Sequence, residues 1–163
     1  MKIPFPFLTS LLIGCAIMYS VSSCEKLEGE ENEANISEFG DDDSHYHGRI
    51  CMDCHARSGS GEGWFTVAGS MERNSGNSLI ELYRYKNGPM VMSIEVDDES
   101  NFFTTEPIDF SDGLVVAVRS PSGDLEWMDD NEDDHPDVGN NGEIYSGSCN
   151  TCHGVSTDMV EPD

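Results

Sequence analysis

The feature that most constrains this chain is a five-residue pattern that occurs twice. Cys51-Met52-Asp53-Cys54-His55 and Cys149-Asn150-Thr151-Cys152-His153 are both C-x-x-C-H. This is the attachment pattern of c-type haem. Two thiols three positions apart can reach the two vinyl groups on one edge of a porphyrin, and the adjacent imidazole then meets the iron from the proximal side. The expectation is two covalently attached haems, with Cys51, Cys54, Cys149 and Cys152 as attachment residues and His55 and His153 as iron ligands. Two other chemistries fit paired C-x-x-C: structural zinc held by thiolates, with or without the His residues, and disulfides of an exported protein. A redox disulfide of this kind belongs in a thioredoxin-like βαβ pattern, which this sequence lacks.

The remaining two of the six cysteines lie near the N-terminus. Residues 1–23 contain one basic residue, Lys2, and no acidic one. The apolar run from Ile3 to Met18 is interrupted by Pro4 and Pro6 and is short for a membrane span, which needs about 20 apolar residues. It reads as an export signal, residues 1–23. Val21-Ser22-Ser23-Cys24 resembles a bacterial lipobox, with Cys24 as the lipidated residue. Leu12-Ile13-Gly14-Cys15 also fits. Cys24 is preferred because an acidic stretch follows it, whereas another apolar stretch follows Cys15. The expected location is the bacterial cell envelope: an outer-membrane lipoprotein facing the periplasm or the cell surface. Haem is attached outside the cytoplasm, so signal and motifs agree.

Charge narrows the partners. The chain has 32 acidic and 8 basic residues among 163, a formal net charge of −24. Cleavage before Cys24 leaves 140 residues carrying −25. Such a chain does not bind nucleic acid through phosphate neutralisation. Its redox partners are expected to be basic proteins, and its membrane contact to run through the lipid anchor. Nine of the 20 residues in 25–44 are Asp or Glu, so residues 24–44 read as a lipidated Cys and an extended acidic tether. The loop Asp129–Asp137 has the acid density of a calcium site, although it lacks the EF-hand Gly and Glu positions.

Between the motifs the period changes to two. Trp64–Gly69, Ser78–Tyr85, Met90–Val96, Asn101–Thr105, Leu114–Val118 and Leu125–Met128 read as six short strands. Met90, Met92, Ile94 and Val96 form the inward set of the third. The expected fold is mainly β: a small antiparallel sandwich over 64–128, a first haem-binding segment at 45–63 and a second within 129–163. An even number of strands brings both segments to the same end, where haem-to-haem contact becomes feasible, within the chain or with a neighbour.

Each iron also needs a sixth ligand if it is to be low-spin, commonly His or Met. His45 and His47 precede the first motif and His135 precedes the second. Met128, ending the last strand, is the Met candidate.

Two resemblances follow from these residues. Val67-Ala68-Gly69, Leu79-Ile80-Glu81-Leu82 and Asp97-Asp98-Glu99-Ser100-Asn101-Phe102 resemble the carboxypeptidase regulatory-like, or transthyretin-like, domain family, with Ser100 where that family has Gly. The resemblance implies a binding or spacer module without catalysis. The Cys51–Gly69 stretch and Gly147-Ser148-Cys149-Asn150-Thr151-Cys152-His153 resemble a group of bacterial dihaem lipoproteins with a β-domain between two CxxCH segments. That resemblance implies an electron carrier. The alternatives are a non-redox surface lipoprotein with a zinc site and a dihaem peroxidase, which would need an open iron position.

Overall fold

Alternation in Leu79–Tyr83 sends Ile80 and Leu82 inward, where both are buried. This period of two builds the fold, as expected of strands with one face on a core. The computed structural model describes residues 34–128, 143–154 and 158–160. The protein is mainly β, with eight strands among the described residues: β1 Val67–Ser70, β2 Leu79–Tyr83, β3 Met90–Glu95, β4 Asn101–Thr104, β5 Leu114–Arg119, β6 Leu125–Trp127, β7 Glu143–Ile144 and β8 Gly147–Ser148. The described helical structure is two three-residue 3-10 turns, Cys51–Asp53 and Cys149–Thr151. No helix among the described residues is long and apolar enough to cross a membrane.

The strands form two sheets. One runs β4-β1-β8, and the other runs β3-β2-β5-β6 with β7 also on β5. Pairing is antiparallel except between β1 and β8, which run parallel. Val67 and Phe102 from the first sheet meet Ile80, Leu82, Ile94, Leu114 and Val118 from the second in one core. The six strands read from the sequence are β1–β6, with ends shifted by up to three residues. The sequence reading did not find β7 and β8, which are too short to show a period.

Three details depart from that reading. Met90 is 54% exposed rather than packed. A bulge sets Leu82 opposite Met92 but Tyr83 opposite Met90, so one extra residue resets the alternation at the strand's start. Residues 35–37, read as part of the tether, belong to the β-domain. Ile36 bridges Thr104 on the free edge of β4, and the Ser37 N–H donates to the Phe103 carbonyl at 3.0 Å. An exposed strand edge offers backbone groups to any extended segment, whatever its side-chain charge. Finally, the domain continues past residue 128, through β7, β8 and the second motif.

The turn from β3 to β4 bears on the Ser100 position. Ser100 adopts a φ of 64°, in the left-handed region that favours Gly. The turn is held by Asp97, whose Oδ1 accepts the Asn101 N–H at 2.8 Å. On the outer face of β2, Glu81 receives Arg119 through Nε at 2.7 Å and Nη2 at 2.9 Å, and the Tyr83 hydroxyl as well.

Candidate functional site

Both C-x-x-C-H motifs fold into the same local structure. In the first, the Cys54 and His55 N–H groups donate to the Cys51 carbonyl at 3.2 and 2.9 Å; in the second, those of Cys152 and His153 donate to the Cys149 carbonyl at 3.2 and 3.1 Å. A turn of this kind stacks side chains i and i+3 on one face. The turn therefore gives the two cysteines of each motif the same backbone arrangement, with the His following directly. The Cys51 thiol points to the Arg49 carbonyl and the Cys149 thiol to the Gly147 carbonyl, each at 3.6 Å.

Both imidazoles are also held alike. His55 Nδ1 lies 3.1 Å from the Glu62 carbonyl, and His153 Nδ1 lies 3.0 Å from the Asp158 carbonyl. An Nδ1–H donated to a backbone carbonyl puts the lone pair on Nε2, the arrangement a metal-ligating His uses. The His55 ring stacks on Phe65 at 4.3 Å, and Phe65 stacks on Phe103 at 4.7 Å, which ties the motif to β4. The Gly-rich run after His55 has a steric reason. A Cβ at Gly61 would stand 2.8 Å from the His55 ring, so the loop can close over that ring only without a side chain.

β1 brings the two motifs together. The first motif precedes it, and β8 runs parallel to it and delivers the second. A Cβ at Gly69 would stand 2.8 Å from the Cys149 Cβ and 2.6 Å from Phe102. The clamp is Asn150, 1% exposed. Its Oδ1 accepts the Ser70 N–H at 2.8 Å, and its Nδ2 donates to the Arg49 carbonyl at 2.8 Å and to Ser70 Oγ at 3.1 Å. Arg49 is two residues before Cys51, so one buried amide joins the second motif to the entrance of the first. The sequence placed Asn150 inside a motif but did not reveal this role. Its polar side chain between two cysteines was the available signal.

Burial pushes the Cys149 thiol up to about 12, with the neighbouring Cys51 and Cys152 thiols adding to the shift. Burial also raises Cys51, partly offset by a backbone hydrogen bond. Both are therefore protonated thiols at neutral pH, and no disulfide joins the four cysteines. Among the described residues, no three His, Cys, Asp or Glu side chains converge as a metal-binding group. The four cysteines lie on two turns whose first thiols, Cys51 and Cys149, are neighbours.

The other candidates are distributed as follows. His45 lies beside His55, ring centres 5.8 Å apart. His47 Nε2 is 2.8 Å from the Met71 carbonyl. Met128 ends β6 on the other sheet, its N–H bonded to the Val116 carbonyl. His135, the acidic loop Asp129–Asp137, Cys15 and Cys24 lie outside the described residues. Comparison with protein-family models, with curated proteins and with solved structures gives no match.

Proposed function

We propose that this chain is an exported, lipid-anchored dihaem cytochrome c that carries electrons between redox partners. One observation carries the reading: both C-x-x-C-H motifs adopt the same turn and both of their imidazoles are anchored through Nδ1. Cys51 and Cys54 would hold one haem by thioethers and Cys149 and Cys152 the other, with His55 and His153 toward the irons. When bound, haem supplies a one-electron Fe(III)/Fe(II) couple. The protein's part is to attach, orient and bury. Asn150 supports this role by holding the two motifs against the same strand, which would keep two redox centres close. The acidic surface favours basic partners, with association slowing as salt rises. Lipidation at Cys24 would hold the carrier at the envelope surface.

Expression with the haem-attachment machinery, followed by denaturation and mass spectrometry, tests the reading. Two haems are expected to remain bound, one on each motif peptide. A colourless protein binding one zinc through four thiolates would overturn it. Metabolic labelling with a radioactive fatty acid tests the anchor: Cys24→Ala should abolish incorporation and Cys15→Ala should not.

A further inference from the structure

Of the three His candidates for a sixth ligand, His45 and His47 lie among the described residues, and the structure treats them differently. His47 Nε2 is committed to the Met71 carbonyl at 2.8 Å. It acts as a structural pin, because Met71 is fully buried and follows β1 directly. His45 instead lies next to the first motif. Its ring centre is 5.8 Å from that of His55, with 40° between the planes. Two imidazoles bonded to opposite sides of one metal at about 2 Å hold their ring centres roughly 6 Å apart. The observed 5.8 Å places the two rings close enough for both imidazoles to reach one metal.

The loop carrying His45 is fixed on both sides. Before it, Ser44 Oγ accepts the Asn101 Nδ2 at 2.8 Å. After it, the Gly48 N–H donates to Ser70 Oγ at 2.9 Å. Between these, Tyr46 at φ 55° and Gly48 at φ 76° form a tight turn closed by the Arg49 N–H on the Tyr46 carbonyl. His45 is thus presented on an anchored loop. Chain reach agrees: Cys51 lies six positions after His45, a span of up to about 20 Å, against roughly 10 Å from the attachment edge of a haem to its far face. His55 holds Nδ1 on the Glu62 carbonyl, which leaves Nε2 for the same metal.

We infer that His45 is the sixth ligand of the iron held at Cys51, Cys54 and His55, and that His47 is not a ligand. The inference rests on the haem reading above and deepens it. It makes the first centre a bis-histidine, low-spin site, closed to exogenous ligands.

The test is optical and electron paramagnetic resonance spectroscopy of the exported holoprotein, with peptide mass spectrometry to locate the haem. His45→Ala should convert the haem on the Cys51–His55 peptide, about half the total, from low to high spin, and added imidazole should restore it. His47→Ala should leave the spin state unchanged while lowering stability. His45→Gln, which keeps the loop polar, supplies the same readout if the alanine variant does not accumulate. An unchanged low-spin spectrum in the His45 variants overturns the inference, as does loss of low spin in His47→Ala alone. Haem absent from the wild-type Cys51 peptide removes the parent reading as well, and the mass spectrum identifies that outcome separately.

Discussion

Replacing Asn150 tests whether a single buried amide unites the two motifs. Asn150→Ala removes three hydrogen bonds, to the Ser70 N–H, the Arg49 carbonyl and Ser70 Oγ. These losses are unequal. Ser70 is 1% exposed, so its N–H is left without water, which costs about 1–3 kcal/mol. The Arg49 carbonyl belongs to an exposed residue and can rehydrate, so its loss is about 1 kcal/mol. Ser70 Oγ keeps Asn101 Oδ1 as acceptor at 2.6 Å, and its loss is minor. The sum is about 2–4 kcal/mol, a large share of the roughly 5–15 kcal/mol of a folded domain. Asn150→Asp sharpens the test. It retains an acceptor for the Ser70 N–H but turns a carboxylate oxygen toward the Arg49 carbonyl and buries a charge. At neutral pH it should cost more than Asn150→Ala, although it is closer in shape. Guanidinium unfolding followed by far-ultraviolet circular dichroism reads both, as a shift in midpoint at constant slope. A loss below about 0.5 kcal/mol for the alanine variant, or an aspartate variant milder than the alanine one, refutes the clamp.

Three further outcomes follow from the same physics. Gly69→Ala places a methyl group between Phe102 and the Cys149 Cβ. It should destabilise the domain by about 1–3 kcal/mol and lower haem content at the second motif more than at the first, read from the two motif peptides. Asp97 is fully buried, and burial raises its carboxyl above the usual range, with Asp41 adding to the effect and hydrogen bonds from Asn101, Ser44 and Glu99 opposing it. Its folded form therefore holds its proton more tightly than the unfolded one, and stability falls as pH rises from the ordinary carboxylate range through the raised value. Asp97→Asn should remove that slope, checked by urea midpoints across pH. Glu81 behaves oppositely. Burial alone would raise it, but the Arg119 and Tyr83 bonds outweigh burial and hold it below its usual value. Its contribution is present above the ordinary carboxylate range and is lost as pH falls through the lowered value, so Glu81→Gln should be less stable at neutral pH and show a flatter acid limb.

The strands β1–β6 were legible because each has one face on a common core, and the side-chain period of two exposes that directly. The motifs were legible because each is a short run of residue types at a fixed spacing, given twice. Met90 was misread because a bulge is a pairing event between two strands, and neither strand alone records it. The edge addition at Ile36 was hidden for a related reason: it is made by backbone groups, and the surrounding acidic composition pointed to solvent.

The sequence by itself determined the chemistry available at each motif, the β class of the domain and the concentration of charge outside its core. Those properties reside in residue types and short spacings. The tertiary structure decided which distant residues meet. A parallel pairing between β1 and β8 sets Cys149 against Gly69 and places the Asn150 amide on the Arg49 carbonyl, while bonds from Asn101 to Ser44 and from Gly48 to Ser70 hold the loop that sets His45 beside His55. Contacts across such separations depend on how two sheets close over one core, a property of the folded chain as a whole that no local pattern encodes.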